Sequence, residues 1–576
     1  VSPDRLPHLS LKLPVWRTRF VLVCLILGFT GLGARAMYLQ GMEHEDLQAE
    51  GAKRYARTLE MPAHRGMITD RHGEPLAVST PVDSVGVSLW KFSITDAQRK
   101  QLAGLLGLDP AEVAKKLSSE QRGVVFLKRH LPPEQAARVM ALDVPGIFLQ
   151  REHRRYYPAG DVLSHVLGYT DIDEHGTEGI ELALDGQLAG RPGSRRVIKD
   201  LKGRVVEDVE RVRAPRQGQD VALSIDLKLQ YIAYRELKQA VTLHRAKAGS
   251  VVVLDAESGE ILALANVPTY NPNNRAKYEP SRARNRALVD LFEPGSTLKP
   301  FTIAAALESG RYTPQTVIQT AGGALPLGNH VIRDVHAGGD MTVSEVLQRS
   351  SNVGTARMAL SLPSHDLWTM LSSSGFGTVP RVGFPGEAGG RLRDPKSWKQ
   401  IEQATMSYGH GISVSLMQLA RAYTVFCGDG ELMPLTLLKR TEPVAGVPVI
   451  SAKTALAMRE MLQLVTQPGG TAPKAQVVGY RVAGKTGTAH KLVKGTYAPD
   501  RYASSFVGLA PASRPRLIVA VLIDEPSAGQ HYGGQVAAPV ASAVLAGALR
   551  VLSIPPDLPI PRTPLPSVVD AVGEEV

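Results

Sequence analysis

Apolar and polar positions are arranged in three different ways along the 576 residues. Near the amino end, residues 20–34 form an uncharged, mostly apolar run of fifteen, several short of the ~20 that cross a bilayer as a helix. Arg35 can snorkel to the interface, and Ala36 to Leu39 then complete a span over 20–39. Residues 40–217 alternate less regularly. Within them, 65–77 read as strand, turn, strand with His72-Gly73 at the bend. Residues 95–142 read as helices, one capped by Asp109 with Pro110 at its first position, another opened by Pro132-Pro133-Glu134-Gln135. The stretch 176–203, rich in glycine and charge, reads as loops and short strands.

Gln217-Gly218-Gln219-Asp220 breaks that pattern, and a third kind of sequence follows. Residues 224–243 suit one long helix starting near Asp226. Residues 250–255 and 260–265 read as two strands joined by a tight hairpin at 256–259. The middle, 296–470, is mainly helical in pattern. Short strands return at 481–483, 505–509 and 517–523, and an alanine-rich apolar helix closes the unit at 536–552. Strands early, helices between and strands late describe one antiparallel sheet with helices packed on it, an α+β unit. Residues 553–576 hold six prolines without periodicity and read as a flexible tail. The expected organisation is therefore a tail at 1–19, a span at 20–39, a mixed domain at 40–217, an α+β domain at 218–552 and a tail at 553–576.

Charge orients the span. Arg5, Lys12, Arg17 and Arg19 stand before it against a single acid, Asp4, which predicts a cytoplasmic amino end and an exported remainder. A cleaved signal peptide, with Ala34-Arg35-Ala36 as its cleavage site, is the alternative reading of the same run. The whole chain carries 66 Lys plus Arg against 55 Asp plus Glu. That excess favours anionic surroundings without choosing among them. Only 5% of residues are aromatic, which argues against a base-stacking nucleic-acid platform. Two cysteines, Cys24 and Cys427, exclude a disulfide scaffold and a Cys-rich metal site. No cofactor or metal is expected, and no Gly-x-Ser-x-Gly elbow is present.

The candidate chemistry starts at Ser296-Thr297-Leu298-Lys299. A serine three residues before a lysine on a helix shares its face. At a helix start, the serine also lies beside unpaired backbone N–H groups that can stabilise an anion. A desolvated lysine, or one near another cation, can be neutral and accept the serine proton. The spacing alone is weak, since Ser88-Leu89-Trp90-Lys91 repeats it by chance. Two later motifs strengthen it. Ser350-Ser351-Asn352 is the only Ser-x-Asn, and Lys485-Thr486-Gly487-Thr488 contains the only Lys-Thr-Gly. Ser350 can relay a proton, and the Asn352 amide can bond a substrate amide. Lys485, Thr486 and Thr488 suit a substrate carboxylate, with Gly487 at a strand end admitting a substrate backbone. The N–H after Gly487, with that of Ser296, can form an oxyanion hole. Singly, each motif is better read as a helix cap, a loop or an ordinary strand edge. In this order and on this sheet they point together to acyl transfer.

Ser-x-x-Lys, Ser-x-Asn and Lys-Thr-Gly are the signature of penicillin-recognising serine enzymes, and the chain resembles that family more widely. Residues 218–552 are similar to its transpeptidase domain, including Asn285-Arg286-Ala287, Tyr408-Gly409, 505–508 and Tyr532-Gly533-Gly534. Residues 65–77 and 157–181 resemble the non-catalytic pedestal, or dimerisation-type domain, of class B penicillin-binding proteins. The resemblance implies a serine β-lactamase-like fold behind a single membrane anchor in the bacterial inner membrane. It implies cross-linking of peptidoglycan stem peptides at the division septum through a Ser296 acyl-enzyme that β-lactams trap. Lys299, Ser350 and Lys485 would move protons, and Asn352, Thr486, Gly487 and Thr488 would hold substrate. A separate glycan polymerase of the SEDS type and other division proteins are the implied partners. Two departures stand out: His410 where an aromatic residue is expected, as a wall residue, and Thr486 where many division enzymes have serine.

Rival readings differ in testable features. A class A β-lactamase needs a glutamate closely followed by an asparagine to activate its water, yet Asn352 is the last asparagine in the chain. Other hydrolases of the same fold, such as a D,D-carboxypeptidase, stay open. A β-lactam sensor needs several spans or a cytoplasmic effector domain. A bifunctional enzyme needs an acidic polymerase motif, and 40–217 contain none.

Overall fold

The computed structural model describes residues 14–42, 56–61, 63–90, 92–118, 123–199, 205–276, 278–336, 338–493 and 495–559. Contacts group the chain into two units, 1–63 with 191–217 and 64–190 with 218–576. In the first, helix α1 (Val15–Met37) runs on as a π-helical turn, Tyr38–Met42. Val15–Gly41 is the one helix among the described residues long and apolar enough to cross a membrane, and it covers the span expected over 20–39. The same unit holds a three-stranded antiparallel sheet, ordered Ala56–Met61, Gly193–Lys199, Val205–Arg213.

The second unit begins with a five-stranded sheet centred on Pro75–Ser88. The bend expected at His72-Gly73 is present. Asp70 accepts the N–H groups of His72 and Glu74, and Gly73 takes φ 91°. Helices occupy Asp96–Leu106, Pro110–Leu117 and Pro133–Met140, the second capped by Asp109 on the Ala111 N–H at 2.7 Å. Between them, Val124–Leu131 is a strand paired with Pro75–Ser88, where the sequence read as helix. Buried Leu127 and Leu131 are four apart, a spacing that fits both periods. Val124, Val125 and Phe126 have strand propensity, and the available edge decides it. Residues 179–188, read as loops, form two short helices, Gly179–Ala183 and Asp185–Leu188. Their charge is not solvated. Glu181 is fully buried, bonded by Arg65 Nε at 2.8 Å and Arg155 Nε at 2.7 Å, while Arg65 also reaches Asp185 at 2.7 Å.

The rest of this unit is the α+β domain the pattern predicts. Helix α2 (Leu227–Leu243) is capped by Asp226, which accepts the Lys228 and Leu229 N–H groups. Strands β1 (Ala248–Asp255) and β2 (Ile261–Val267) form the early hairpin, closed by Gly259 at φ 71°. Helices α3 (Lys299–Glu308) and α4 (Asn352–Leu360) lie in the helical middle. Strands β3 (Ala483–Val493), β4 (Thr496–Ala510) and β5 (Leu517–Asp524) precede helix α5 (Ala538–Val551). The sheet is antiparallel throughout, ordered β2-β1-β5-β4-β3. α2 and α5 cover one face and Leu416–Ala422 the other. Strand β1 is buried along its whole length, as a layer between helices requires. β3 is much longer than the 481–483 segment expected, so Lys485 to Thr488 lie inside an edge strand and not at a strand end. Residues 553–559, expected in a flexible tail, are bonded to the domain. Asp557 accepts from the Arg481 N–H and the Ser513 hydroxyl, and the Ile554 carbonyl accepts from the Tyr480 hydroxyl. The tail at 560–576, like the expected tail at 1–13, lies outside the described residues.

Candidate active site

Three chain segments build the site, and each is placed by a local reason. Ser296 is the second residue of a 3₁₀ turn, Gly295–Leu298, that runs into α3. The apolar stretch 301–306 drives α3 into the core and carries Lys299 with it, fully buried. The turn is held from outside by Gly409, whose carbonyl accepts the Gly295 N–H at 3.2 Å. Gly409 has φ 88°, and a Cβ there would sit 2.1 Å from the Gly295 oxygen, so no other residue fits.

Ser350 stands before α4 with φ 61°, a left-handed conformation unusual for a residue with a side chain. Asp334 fixes the next residues. Its carboxylate accepts the Ser351 hydroxyl at 2.7 Å, the Asn352 N–H at 2.5 Å and the Val353 N–H at 2.9 Å. Ser351 in turn caps α4 through the Gly354 N–H at 2.9 Å. The Asn352 side-chain N–H donates to the Arg333 carbonyl, which orients its Oδ1 as the remaining acceptor.

On β3, Lys485 is fully buried and its Nζ donates to Ser350 Oγ at 2.9 Å. Lys299 Nζ donates to the same oxygen at 3.1 Å and to the Ser350 carbonyl at 2.6 Å. Two lysines from distant segments therefore meet on one serine hydroxyl. Burial, and then the repulsion of Lys485, hold the Lys299 amine well below its ordinary value, with Asp334 opposing. Burial pushes Lys485 down to about 7. The Ser296 hydroxyl is only partly exposed, and both hydrogen bonds of the Lys299 amine go to Ser350, not to Ser296.

Thr488 Oγ1 accepts the Gly533 N–H at 3.0 Å, which leaves its own O–H free to donate to an anion. Thr486 Oγ1 is hydrogen-bonded to Thr471 Oγ1 at 2.9 Å. Gly487 serves a different end from the one its motif suggests. A Cβ there would lie 2.4 Å from Ser505 Oγ and 2.7 Å from the Pro294 oxygen, so the glycine admits the serine turn against β3. Lys299, Ser350 and Lys485 thus meet through hydrogen bonds, with Ser296 three residues before Lys299, Asn352 at the start of α4 and Thr486 to Thr488 next to Lys485 on β3, while Ser88 ends a strand of the other sheet and Lys91 lies outside the described residues. His410 Nδ1 lies 3.1 Å from Glu293 Oε2. Glu293 also accepts from the Gly411 N–H at 2.8 Å and the Tyr497 hydroxyl at 3.0 Å. Among the described residues no three His, Cys, Asp or Glu side chains converge as a metal site would require.

Comparison with known proteins agrees with this geometry. The family model for the penicillin-binding protein transpeptidase domain matches residues 249–546, and that for the penicillin-binding protein dimerisation domain matches 60–223. The chain is 40% identical, over 94% of both chains, to a probable peptidoglycan D,D-transpeptidase PenA of Neisseria meningitidis. It is 39% identical to the peptidoglycan D,D-transpeptidase FtsI of Escherichia coli, over 94% of this chain and 93% of that one. This chain is a class B penicillin-binding protein. A solved transpeptidase domain of Burkholderia pseudomallei penicillin-binding protein 3 is 49% identical and covers 58% of this chain and 98% of its own, with a TM-score of 0.55.

In this class B protein, sequence reasoning missed Asp334 and Glu293. Neither lies in a motif. Asp334 is brought to α4 by the 330–333 strand, 18 residues upstream of Asn352. Glu293 had one signal, its place three residues before Ser296, just ahead of the Gly295–Leu298 turn.

Proposed function

We propose that this enzyme cross-links peptidoglycan stem peptides as a D,D-transpeptidase of the division septum, with Ser296 as nucleophile. The observation that carries the reading is the pair of buried lysines sharing Ser350 Oγ. Two ammonium groups so placed cannot both stay charged in an apolar setting. Lys299, held well below its ordinary value by burial and by the repulsion of Lys485, is the free amine that takes the Ser296 proton as Oγ bonds to the carbonyl carbon between two D-alanines. The oxyanion is met by the N–H groups of Ser296 and Thr488, and the substrate carboxylate by Thr486, Thr488 and the charge of Lys485. Asn352 Oδ1 accepts from the substrate amide. As the C–N bond breaks, the leaving D-alanine amine takes a proton from Ser350, which Lys485 replenishes. Lys299 then returns its proton through the shared Ser350 hydroxyl to Lys485; an amine of a neighbouring strand attacks the ester, and the free Lys299 amine accepts its proton and hands it to Ser296 Oγ as the acyl C–O bond breaks. β-Lactams present the same carbonyl and stop at the acyl stage.

The basic flank of the span supports an amino end in the cytoplasm, and 40–576 then lie in the periplasm. The pedestal at 40–217 and the catalytic domain, 218–552, then work outside the cytoplasm with a SEDS-type glycan polymerase and other division proteins. The test is intact-protein mass spectrometry with benzylpenicillin. The parent gains one covalent adduct, and Ser296→Ala gains none. An adduct on that variant refutes the nucleophile, and rapid catalytic clearance of the drug by the parent refutes the transpeptidase in favour of a hydrolase.

A further inference from the structure

A cavity of about 240 Å³ lies where the pedestal sheet meets the catalytic domain, inside the second unit of the structure. His130 reaches it from the strand Val124–Leu131, and Arg154 and Arg155 from Ile147–Tyr156, both strands paired with Pro75–Ser88. Asp171 comes from the turn after Tyr169–Thr170, and Asn273 and Arg275 from the loop after β2. Asn273 fastens the two sides together. Its side chain accepts the Tyr157 N–H at 3.0 Å and donates to the Tyr157 carbonyl at 2.8 Å. None of these residues belongs to the Ser296 cleft.

The lining is cationic, and the acids nearby are already engaged. Arg154 gives one N–H to the Asn273 carbonyl at 3.2 Å, and the Arg275 guanidinium lies over the Tyr169 ring, 4.2 Å from its centroid. Neither arginine has an acid partner among the described residues. Asp171 also lines the cavity, but its carboxylate accepts the Asp173 and His175 N–H groups, both at 2.9 Å. Glu152 is held by Arg129 at 3.0 and 3.1 Å, and Glu181 is shared by Arg65 and Arg155. Arg155 spends Nε on Glu181 and Nη1 on Ser79 Oγ, which leaves its buried Nη2 with no hydrogen-bond partner. Buried His130 Nε2 has none either. A buried polar nitrogen without a partner is uncommon in a native protein and marks a place for a ligand, a water or an ion.

We propose that this cavity binds a phosphate group, with the exposed Arg154 and Arg275 and the buried Arg155 as its cations. Guanidinium forks match phosphate oxygens two at a time. Three of them offer more N–H groups than the two oxygens of a carboxylate can accept, which favours the tetrahedral dianion. The space equals roughly eight liquid waters at ~30 Å³ each, enough for one such group with part of its hydration. A phosphate held there ties Ile147–Tyr156 of the pedestal to the 272–275 loop of the catalytic domain, so its binding stabilises their junction. The group is either a free phosphate or the head of an anionic lipid, and the chemistry at the three arginines is the same for both.

The experiment uses the full chain in uncharged detergent. Each protein is first titrated with benzylpenicillin, which counts folded molecules and fills the Ser296 cleft, so that an anion bound there is not mistaken for one bound here. Calorimetric titrations at fixed ionic strength then compare inorganic phosphate, dihexanoyl phosphatidic acid and acetate. The parent should bind phosphate saturably and melt at a higher temperature with it. Arg154→Ala and Arg275→Ala should each weaken binding by roughly tenfold, the size of one lost charge-assisted contact. Arg235→Ala, at an exposed arginine outside the cavity, should bind like the parent. Equal affinity for the two phosphates assigns the free ion, and tighter binding of the lipid, again weakened in both variants, assigns a headgroup. No saturable binding of either phosphate, acetate bound as tightly as phosphate, or parental affinity in Arg154→Ala and Arg275→Ala overturns the site.

Discussion

Two groups of buried cations in one unit make opposite use of burial. Beside the pedestal sheet, Arg65 and Arg155 converge on Glu181, with Asp185 as a further partner. Burial acts to lower the Arg65 guanidinium, but Glu181 and Asp185 outweigh it and hold it above its ordinary value. In the cleft, Lys299 and Lys485 are buried as completely, yet their shared neighbour is a hydroxyl, and the nearest acid, Asp334, is committed to the amino end of α4. There desolvation wins and both amines are depressed. Arginine with acid partners stays a permanent charge and fixes structure. Lysine without one is held below its ordinary value, where it can give up its proton.

The largest effect that would break this contrast falls on Lys299. Lys299→Ala should slow acylation by benzylpenicillin by about 10²–10⁴-fold, the usual size of general-base loss, with the melting temperature little changed. Near-parental acylation, followed by stopped-flow or by the rate of adduct appearance, removes Lys299 from proton transfer.

On the other side, Glu181→Ala leaves two buried guanidiniums short of their main acid. Removing one partner from a buried ion pair costs roughly 3–5 kcal/mol. Thermal melting should fall sharply, while the molecules still folded at low temperature titrate with penicillin one to one. A variant that melts like the parent shows that the arginines are solvated.

Lys485 sharpens the contrast through pH. Its folded value is about 7 against an ordinary 10.5. As pH falls through 10.5 the unfolded chain takes up a proton that the folded chain refuses until about 7. Stability therefore drops as pH falls across that window and levels off below it. Lys485→Met removes the penalty, so its gain in melting temperature should be larger at pH 7.5 than at pH 9.5. A gap that does not change with pH refutes the depressed amine.

Much of this was legible in the chain, and the failures share a cause. The meeting of Lys299, Ser350 and Lys485 could be read because motif spacing constrains chemistry directly, and the sheet because 250–255, 260–265 and 517–523 are apolar runs bounded by turns. What could not be read depends on partners distant in sequence. Leu127 and Leu131 fit a helix or a strand until Pro75–Ser88 offers an edge. Glu181 looks like one charge in a polar loop until Arg65, 116 residues away, reaches it. Gly487 looked like room for substrate, and the carbonyl of Pro294 occupies that room instead.

The smallest expected effect concerns the one acid near the lysine pair. Asp334 favours the ammonium form of Lys299, against burial and Lys485. Acylation needs the free amine, so its rate should fall as pH drops through the Lys299 value. Asp334→Asn keeps the shape and can still accept from the Asn352 and Val353 N–H groups, but it withdraws the negative charge. The Lys299 amine then moves further down, and the acid limb of the pH–rate profile for penicillin acylation shifts to lower pH. The loss of a negative charge at the amino end of α4 should cost only about 0.3–1 kcal/mol of stability. At pH values where Lys299 is already neutral, parent and variant should acylate at similar rates. A limb that moves to higher pH, or stays in place, would show that the carboxylate acts on α4 alone and that burial and Lys485 suffice to hold the amine neutral.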